Sequence, residues 1–394
     1  MPMIKRYLFG EVSAEIVDKM VFISGPRQVG KTTFALNLAE KLHPGGVLYL
    51  NWDDRKDRKN ILDERFESGK KIIIFDEIHK YRDWKNYLKG VYDKNRGNFK
   101  IIVTGSARLD VYKKGGDSLL GRYSPYRLNP LSVGELNGGA VLFTPFKELA
   151  PRGNFLKAAG ETETLLKFGG FPEIYLKRSD KALRQWHNRR TDLLIKEDIR
   201  DIRNIREISL LQVLVELLPG RVGSLLSVNS LAEDLSVNYR TAALWLDILE
   251  QFYYHFRVYP YQNSRIKALK KESKLYLWDW SELKDEPAKF ENFIASHLLK
   301  FCHYLFDAEG FKTHLYYLRD REGREADFLV AVDNNPWFAV EVKSSSKNVS
   351  SSLRYFSEKL EIPFSFQVIK EANVDFTERG IRVISAGKFL TMLP

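Results

Sequence analysis

The chain has 394 residues, 44% of them hydrophobic and 29% charged, which gives room for two or three domains with cores of their own. No apolar run approaches the ~20 residues of a membrane-spanning helix, and the single cysteine, Cys302, excludes an internal disulfide. A net charge of +11 favours polyanionic partners such as nucleotide or nucleic acid. Cys302 sits in a mostly apolar stretch and reads as a buried, inert thiol. Lys5 and Arg6 interrupt any apolar signal core, so a cytoplasmic protein without membrane contact is expected.

The apolar run Met20-Val21-Phe22-Ile23 reads as a strand, and Phe34–Ala39 has helical spacing. Between them stand Gly25, Pro26, Arg27, Gln28, Val29, Gly30, Lys31, Thr32 and Thr33. Strand, glycine loop and helix are the context in which G-x-x-x-x-G-K-T predicts a phosphate cradle. The glycines let backbone N–H groups turn inward, and the new helix adds the positive end of its dipole. Lys31 is then expected to reach the β- and γ-phosphates of ATP, and Thr32 to hold Mg²⁺.

Val47–Trp52 predicts a second strand, followed by a charged helix to about Phe66. Lys71–Phe75 is continuously apolar after its lysine, as a strand buried on both faces should be, and it ends in Asp76-Glu77. Asp76 is expected to bind Mg²⁺ through water and Glu77 to act as general base. Phe99–Ser106 is the next strand and its exit, with Ser106 as a polar sensor of the γ-phosphate. Arg122, with Arg108 second, is the candidate for an arginine acting in trans on a neighbouring subunit. Alternating strands and helices predict a parallel sheet covered on both faces.

These motifs, with Ile78-His79-Lys80 and Trp84, Thr104-Gly105-Ser106, Gly121-Arg122, Leu128–Leu136 and Gly169–Glu173, resemble the prokaryotic AAA+ ATPases whose C-terminal half is a domain of unknown function. The resemblance covers nearly the whole chain. It implies ATP binding with hydrolysis and a homo-oligomeric ring such as a hexamer. His79 departs from the commonest pattern, which has glutamine, and reads as a polar cap after the strand.

Residues 137–154 look irregular; 160–168 and 181–201 read as helices, the second rich in arginine. Residues 207–218, 228–235 and 239–252 have helical spacing. The stretch Ser230–Ala242 resembles a winged helix-turn-helix, with Asn238, Tyr239, Arg240 and Thr241 opening the recognition helix. Phe256–Tyr261 and Lys274–Trp278 are the expected wing strands. Arg265, Lys267, Lys270, Lys271 and Lys274 form a basic tip between them, suited to DNA phosphates.

Glu291 opens an amphipathic helix; Thr313–Leu318, Glu325–Val332, Trp337–Lys343 and Phe364–Ile369 read as strands. Asp327, Glu341 and Lys343, with Glu291 and Gln367, resemble the PD-(D/E)xK restriction-endonuclease-like core. That resemblance implies a site in which Glu291, Asp327 and Glu341 hold Mg²⁺ or Mn²⁺ and Lys343 orients water. The alternative is a same-face ion pair between Glu341 and Lys343.

The expected fold is therefore α/β. An AAA+ P-loop domain with lid spans 1–180, a helical winged-helix region 181–262, and a wing strand with a nuclease-like domain 263–394. The favoured function is an oligomeric, DNA-binding ATPase acting as motor or remodeller, with branched DNA or repair among its possible settings. An ATP-gated, metal-dependent nuclease in defence and a nucleotide-dependent switch that binds a protein partner are the alternatives.

Overall fold

A computed structural model of the chain describes residues 4–105, 119–138, 143–195, 207–262, 271–345 and 348–394. It divides into two compact units, Met1–Pro130 and Leu131–Pro394. The break therefore falls at Pro130 rather than at the expected residue 180.

The first unit holds β1 (Met20–Ser24), β2 (Val47–Asn51), β3 (Ile72–Asp76), β4 (Lys100–Thr104) and β5 (Tyr123–Arg127). They form a sheet in the order β2-β3-β4-β1-β5, and all four pairings are parallel. β3 is buried along its whole length, which explains its unbroken apolar run. Helices α1 (Phe9–Glu15), α2 (Lys31–Leu42), α3 (Arg55–Leu62) and α4 (Trp84–Lys94) connect or precede the strands. β4 lies between β1 and β3, so the loop after β1 and the acids after β3 flank the end of β4.

The second unit opens with α5 (Val133–Asn137), α6 (Phe155–Phe168), α7 (Pro172–Lys177) and α8 (Asp180–Leu193). α6 starts five residues before the sequence expectation because Asn154 caps it, its side chain accepting from the Lys157 N–H. Helices α9 (Ile208–Leu217), α10 (Val228–Asp234) and α11 (Tyr239–Gln251) precede the antiparallel pair β6 (His255–Pro260) and β7 (Lys274–Leu277). Val222 and Leu225, between α9 and α10, each bridge to β7.

The helix α12 (Glu286–Asp307) then leads into β8 (Thr313–Arg319), β9 (Glu325–Val332) and β10 (Asn335–Lys343). Asp333 and Asn334 both take positive φ in the turn between β9 and β10. After α13 (Ser351–Lys359) come β11 (Phe364–Ile369), β12 (Asp375–Glu378), β13 (Ile381–Ser385) and α14 (Ala386–Leu390). The mixed sheet of this unit runs β12-β13-β11-β10-β9-β8-β6-β7. The expected wing strands are thus continuous with the C-terminal sheet, β6 pairing in parallel with β8.

Among the described residues no helix is long and apolar enough to cross a membrane. Cys302 is buried, as its apolar neighbours required.

Candidate functional site

The loop Gly25–Thr33 leaves β1 and enters α2 as expected. Gly30 caps α2 in the left-handed region, and no side chain caps the helix. Gly25 is required by space: a Cβ there would lie 2.3 Å from the Leu128 carbonyl oxygen. Lys31 Nζ donates to the loop's own carbonyls, at Gly25 (3.0 Å) and Pro26 (2.8 Å). Arg6, which the sequence reading passed over, braces the same loop by donating to the Val29 carbonyl at 2.8 Å.

Asp76 receives three hydroxyl donors. Thr32 Oγ1 and Tyr49 OH each lie 2.8 Å from Oδ2, and Thr104 Oγ1 lies 2.5 Å from Oδ1. The register of β2, β3 and β4 produces this ring, because Asp76 pairs with Asn51 on one side and Thr104 on the other. Tyr49 and Thr104 were missed in the sequence because nothing in the spacing of either marks strand neighbours. Burial, then the bond to Asp76, holds the Tyr49 phenol above its usual range.

Glu77 follows with φ 55°, a left-handed conformation rare outside glycine. Burial raises its carboxyl above the usual range, opposed by the charges of Lys80 and Lys31. Glu77 Oε2 lies 3.6 Å from both His79 Nε2 and Lys80 Nζ. Lys80 in turn pairs with Asp53 Oδ2 at 2.6 Å. His79 is buried, and burial followed by the nearby lysines pushes its pKa down to about 4, so it stands neutral beside the strand end.

Arg122 is elsewhere in this unit. It precedes β5, where its carbonyl accepts from Met20 N–H at the amino end of β1, opposite the loop. Its guanidinium makes a two-point bond to Asp93 at 2.8 and 3.0 Å. Ser106 and Arg108 lie outside the described residues.

In the second unit, Asn238 caps α11 through its side-chain oxygen, accepting from Thr241 N–H at 2.9 Å. Tyr239 and Arg240 are exposed beside it. Lys271 is exposed, whereas Lys274 is buried and therefore does not belong to a phosphate-facing tip. Strand pairing turns it inward among carboxylates. Arg265, Lys267 and Lys270 lie outside the described residues.

The C-terminal polar residues do converge. Glu341 is flanked by β9 on one side and pairs with Gln367 of β11 on the other. Asp327 Oδ2 accepts from Val342 N–H at 2.8 Å, and Lys343 Nζ lies 2.8 Å from Glu341 Oε1. Burial, then the charges of Glu341 and Glu291, lifts the Asp327 carboxyl well above its usual range. Yet among the described residues no group of three or more His, Cys, Asp or Glu is arranged to hold a metal. Lys274, 3.7 Å from Glu291, and Lys343 on Glu341 supply the counter-charge instead. Gln367 accepts from Ser350 N–H through its amide oxygen and donates to the Asn348 carbonyl, fixing the turn before α13.

Residues 17–137 match an AAA domain, so the chain carries an AAA-type ATPase domain. Residues 160–283 and 288–389 match two domains of unknown function, DUF8612 and DUF4143. Among individual proteins, the uncharacterized protein MJ1544 of Methanocaldococcus jannaschii is 25% identical over 414 residues, covering 95% of this chain and 88% of its own. The uncharacterized protein Rv2008c of Mycobacterium tuberculosis is 22% identical over 354 residues, covering 85% and 73%. Of solved structures, the Thermotoga maritima RuvB Holliday junction branch migration motor aligns at 19% identity and TM-score 0.31, over 63% of this chain and 85% of that one. AMPPCP-bound DnaA from Aquifex aeolicus aligns at 12% identity and TM-score 0.32, over 62% and 86%. At these scores neither structure defines the fold of this chain.

Proposed function

We propose that this protein binds ATP with Mg²⁺ at Gly25–Thr33, hydrolyses it, and couples turnover to DNA held by its second unit. The observation that carries the reading is the contact between Thr32 Oγ1 and Asp76 Oδ2 at 2.8 Å, which joins the loop after β1 to the acids after β3. A hydroxyl and a carboxylate side by side, under a helix start without a side-chain cap, suit a hard cation bridging phosphate oxygens. When bound there, Mg²⁺ supplies neutralising charge to the β- and γ-phosphates.

The chain's own groups do the rest. Lys31 exchanges its two loop carbonyls for phosphate oxygens. Glu77 takes the proton of the attacking water, and its raised proton affinity makes it a stronger base. Arg122 of a neighbouring copy is the candidate for the transition-state charge in a ring. Exposed Tyr239, Arg240 and Lys271, with the net charge of +11, support DNA as the partner. The order α9, α10, α11, β6, β7, with Val222 and Leu225 bridging β7, supports the winged-helix reading.

One observation favours a protein partner instead. The outward side of α11 carries Leu244, 54% exposed, and Asp247, whose carboxylate is taken by Arg257. An apolar surface whose acid is already ion-paired offers phosphates no counter-charge and suits a nucleotide-dependent switch.

Steady-state ATPase rates with Mg²⁺, alone and with single-stranded, duplex and four-way-junction DNA, decide between them. Glu77→Gln is expected to lower turnover about 10²–10⁴-fold while ATP still binds. Stimulation by one DNA form supports the coupled reading. A rate indifferent to every DNA sinks it in favour of the switch, and unchanged turnover in Glu77→Gln removes Glu77 as the base.

A further inference from the structure

Tyr49 stands on β2, the edge strand of the first unit's sheet, and is half-buried there. Tyr49 pairs with Ile74 of β3 and Asn51 pairs with Asp76, so Tyr49 is the diagonal neighbour of Asp76 on one face of the sheet. An aromatic side chain is long enough to cross that diagonal. Its hydroxyl donates to Asp76 Oδ2 at 2.8 Å. The phenol is held in turn by a side-chain hydrogen bond with Asn51, whose Oδ1 accepts from Asp53 N–H at 2.9 Å.

The donors around Asp76 decide what it has left to offer. An ionised carboxylate has about four acceptor directions, shared equally by its two oxygens. Thr32 and Tyr49 fill those of Oδ2, and Thr104 takes one of those on Oδ1. Acceptor capacity therefore stays open on Oδ1. Thr32 is the residue whose oxygen is expected to meet Mg²⁺, and a hydroxyl can offer its oxygen to a cation while its hydrogen still points to a carboxylate. That arrangement needs an Oδ2 that does not move. The Thr104 bond on Oδ1 by itself leaves the carboxylate free to turn about that contact, and the Tyr49 bond on the other oxygen stops the turn.

We propose that Tyr49 is a positioning residue of the nucleotide site: it fixes Asp76 Oδ2, keeps Thr32 oriented, and so raises the affinity for nucleotide with Mg²⁺ by acting through Asp76. The inference rests on the reading of Gly25–Thr33 as a site for ATP with Mg²⁺. It is separable from packing, because the ring of Tyr49 is retained when the hydroxyl alone is removed.

The test is calorimetric binding of the non-hydrolysable β,γ-methylene analogue of ATP to the full-length chain, with Mg²⁺ and with EDTA. Wild type is expected to bind more tightly with Mg²⁺. Tyr49→Phe is expected to bind at least about tenfold more weakly than wild type with Mg²⁺, the scale on which groups behind a metal ligand alter affinity, and equally in EDTA. Thermal melts should show the same split: the analogue with Mg²⁺ raises Tm less in Tyr49→Phe than in wild type, and the rises in EDTA agree. An equal effect of Mg²⁺ in the two chains overturns the proposal. So does a loss of the same size with and without Mg²⁺, which marks a purely structural hydroxyl. A wild-type chain that binds the analogue under neither condition overturns the ATP reading, and the proposal with it.

Discussion

At the scale of single residues, the first unit concentrates its chemistry on Asp76 and Glu77. Asp76 is fixed by Thr32, Tyr49 and Thr104, whereas among the described residues Glu77 has the longer-range company of His79 and Lys80. One acid is thereby immobilised and its neighbour is left with a freer side chain, as the roles proposed for them, metal ligand and base, would require. In the second unit His297 shows how a buried imidazole sets acid stability. Its Nδ1–H donates to the Phe293 carbonyl at 2.8 Å and its Nε2 accepts from Val133 N–H at 3.3 Å, so the neutral tautomer is built in. Burial pushes its pKa down to about 3 from 6.5. A base depressed in the folded state contributes stability above its unfolded pKa, and that contribution is lost as pH falls from 6.5 toward 3. His297 alone is expected to cost about 2 kcal/mol on going from neutral pH to about pH 5. Urea denaturation of wild type and His297→Gln at the two pH values checks this: the variant should lose less stability on acidification. An equal loss would show that His297 takes up its proton to the same extent in the folded and unfolded states.

At the scale of elements, α5 is held to α12 by a buried charge. Ser132 caps α5, its Oγ accepting from Glu135 N–H. Lys300 Nζ reaches Glu135 Oε2 at 2.8 Å and Ser132 Oγ at 2.7 Å, all of it out of water. Gly134 is pressed against the chain end: a Cβ there would sit 1.9 Å from the Leu393 carbonyl oxygen. The Leu128–Leu136 motif thus has a packing role in its second half. Lys300→Met is expected to destabilise the chain by about 3–5 kcal/mol, because Glu135 loses the buried ammonium that balances its charge. Adding Glu135→Leu should return most of that loss in denaturant titrations, and a double variant as unstable as the single one would contradict it. The element scale also explains what the sequence hid. Lys274 reads as part of a basic tip when only its neighbours in sequence are seen. Pairing of β7 with β6, and of β6 with β8, turns it toward Glu325 and Glu291. α1, β12 and β13 escaped the reading as well: the first is short, and β12 is exposed along its length, without the apolar alternation that marks a strand.

At the scale of the whole molecule, the proposed ring makes a separable prediction. A chain lacking the loop lysine (Lys31→Ala) and a chain lacking the candidate trans arginine (Arg122→Ala) are each expected to be inactive. Mixed in equal amounts, they should recover part of the wild-type ATPase rate, because some interfaces pair an intact loop with an intact arginine. No recovery, or a monomeric mass by light scattering with ATP and Glu77→Gln, would remove Arg122 from catalysis and leave it as the partner of Asp93.

The sequence by itself determined the parts whose chemistry is local. Gly25–Thr33 marks a strand-loop-helix phosphate cradle, the run Ile72–Phe75 a doubly buried strand, and Asp76-Glu77 its polar end, because spacing and apolar pattern act over a few residues. Only the tertiary structure decided which groups share a charge environment. Thr104 beside Asp76, Lys300 beside Glu135, and Lys274 among the carboxylates of α12 and β9 are juxtapositions of strand order and register. Electrostatic interaction falls with distance through space, not along the chain, so the fold alone decides which charges meet.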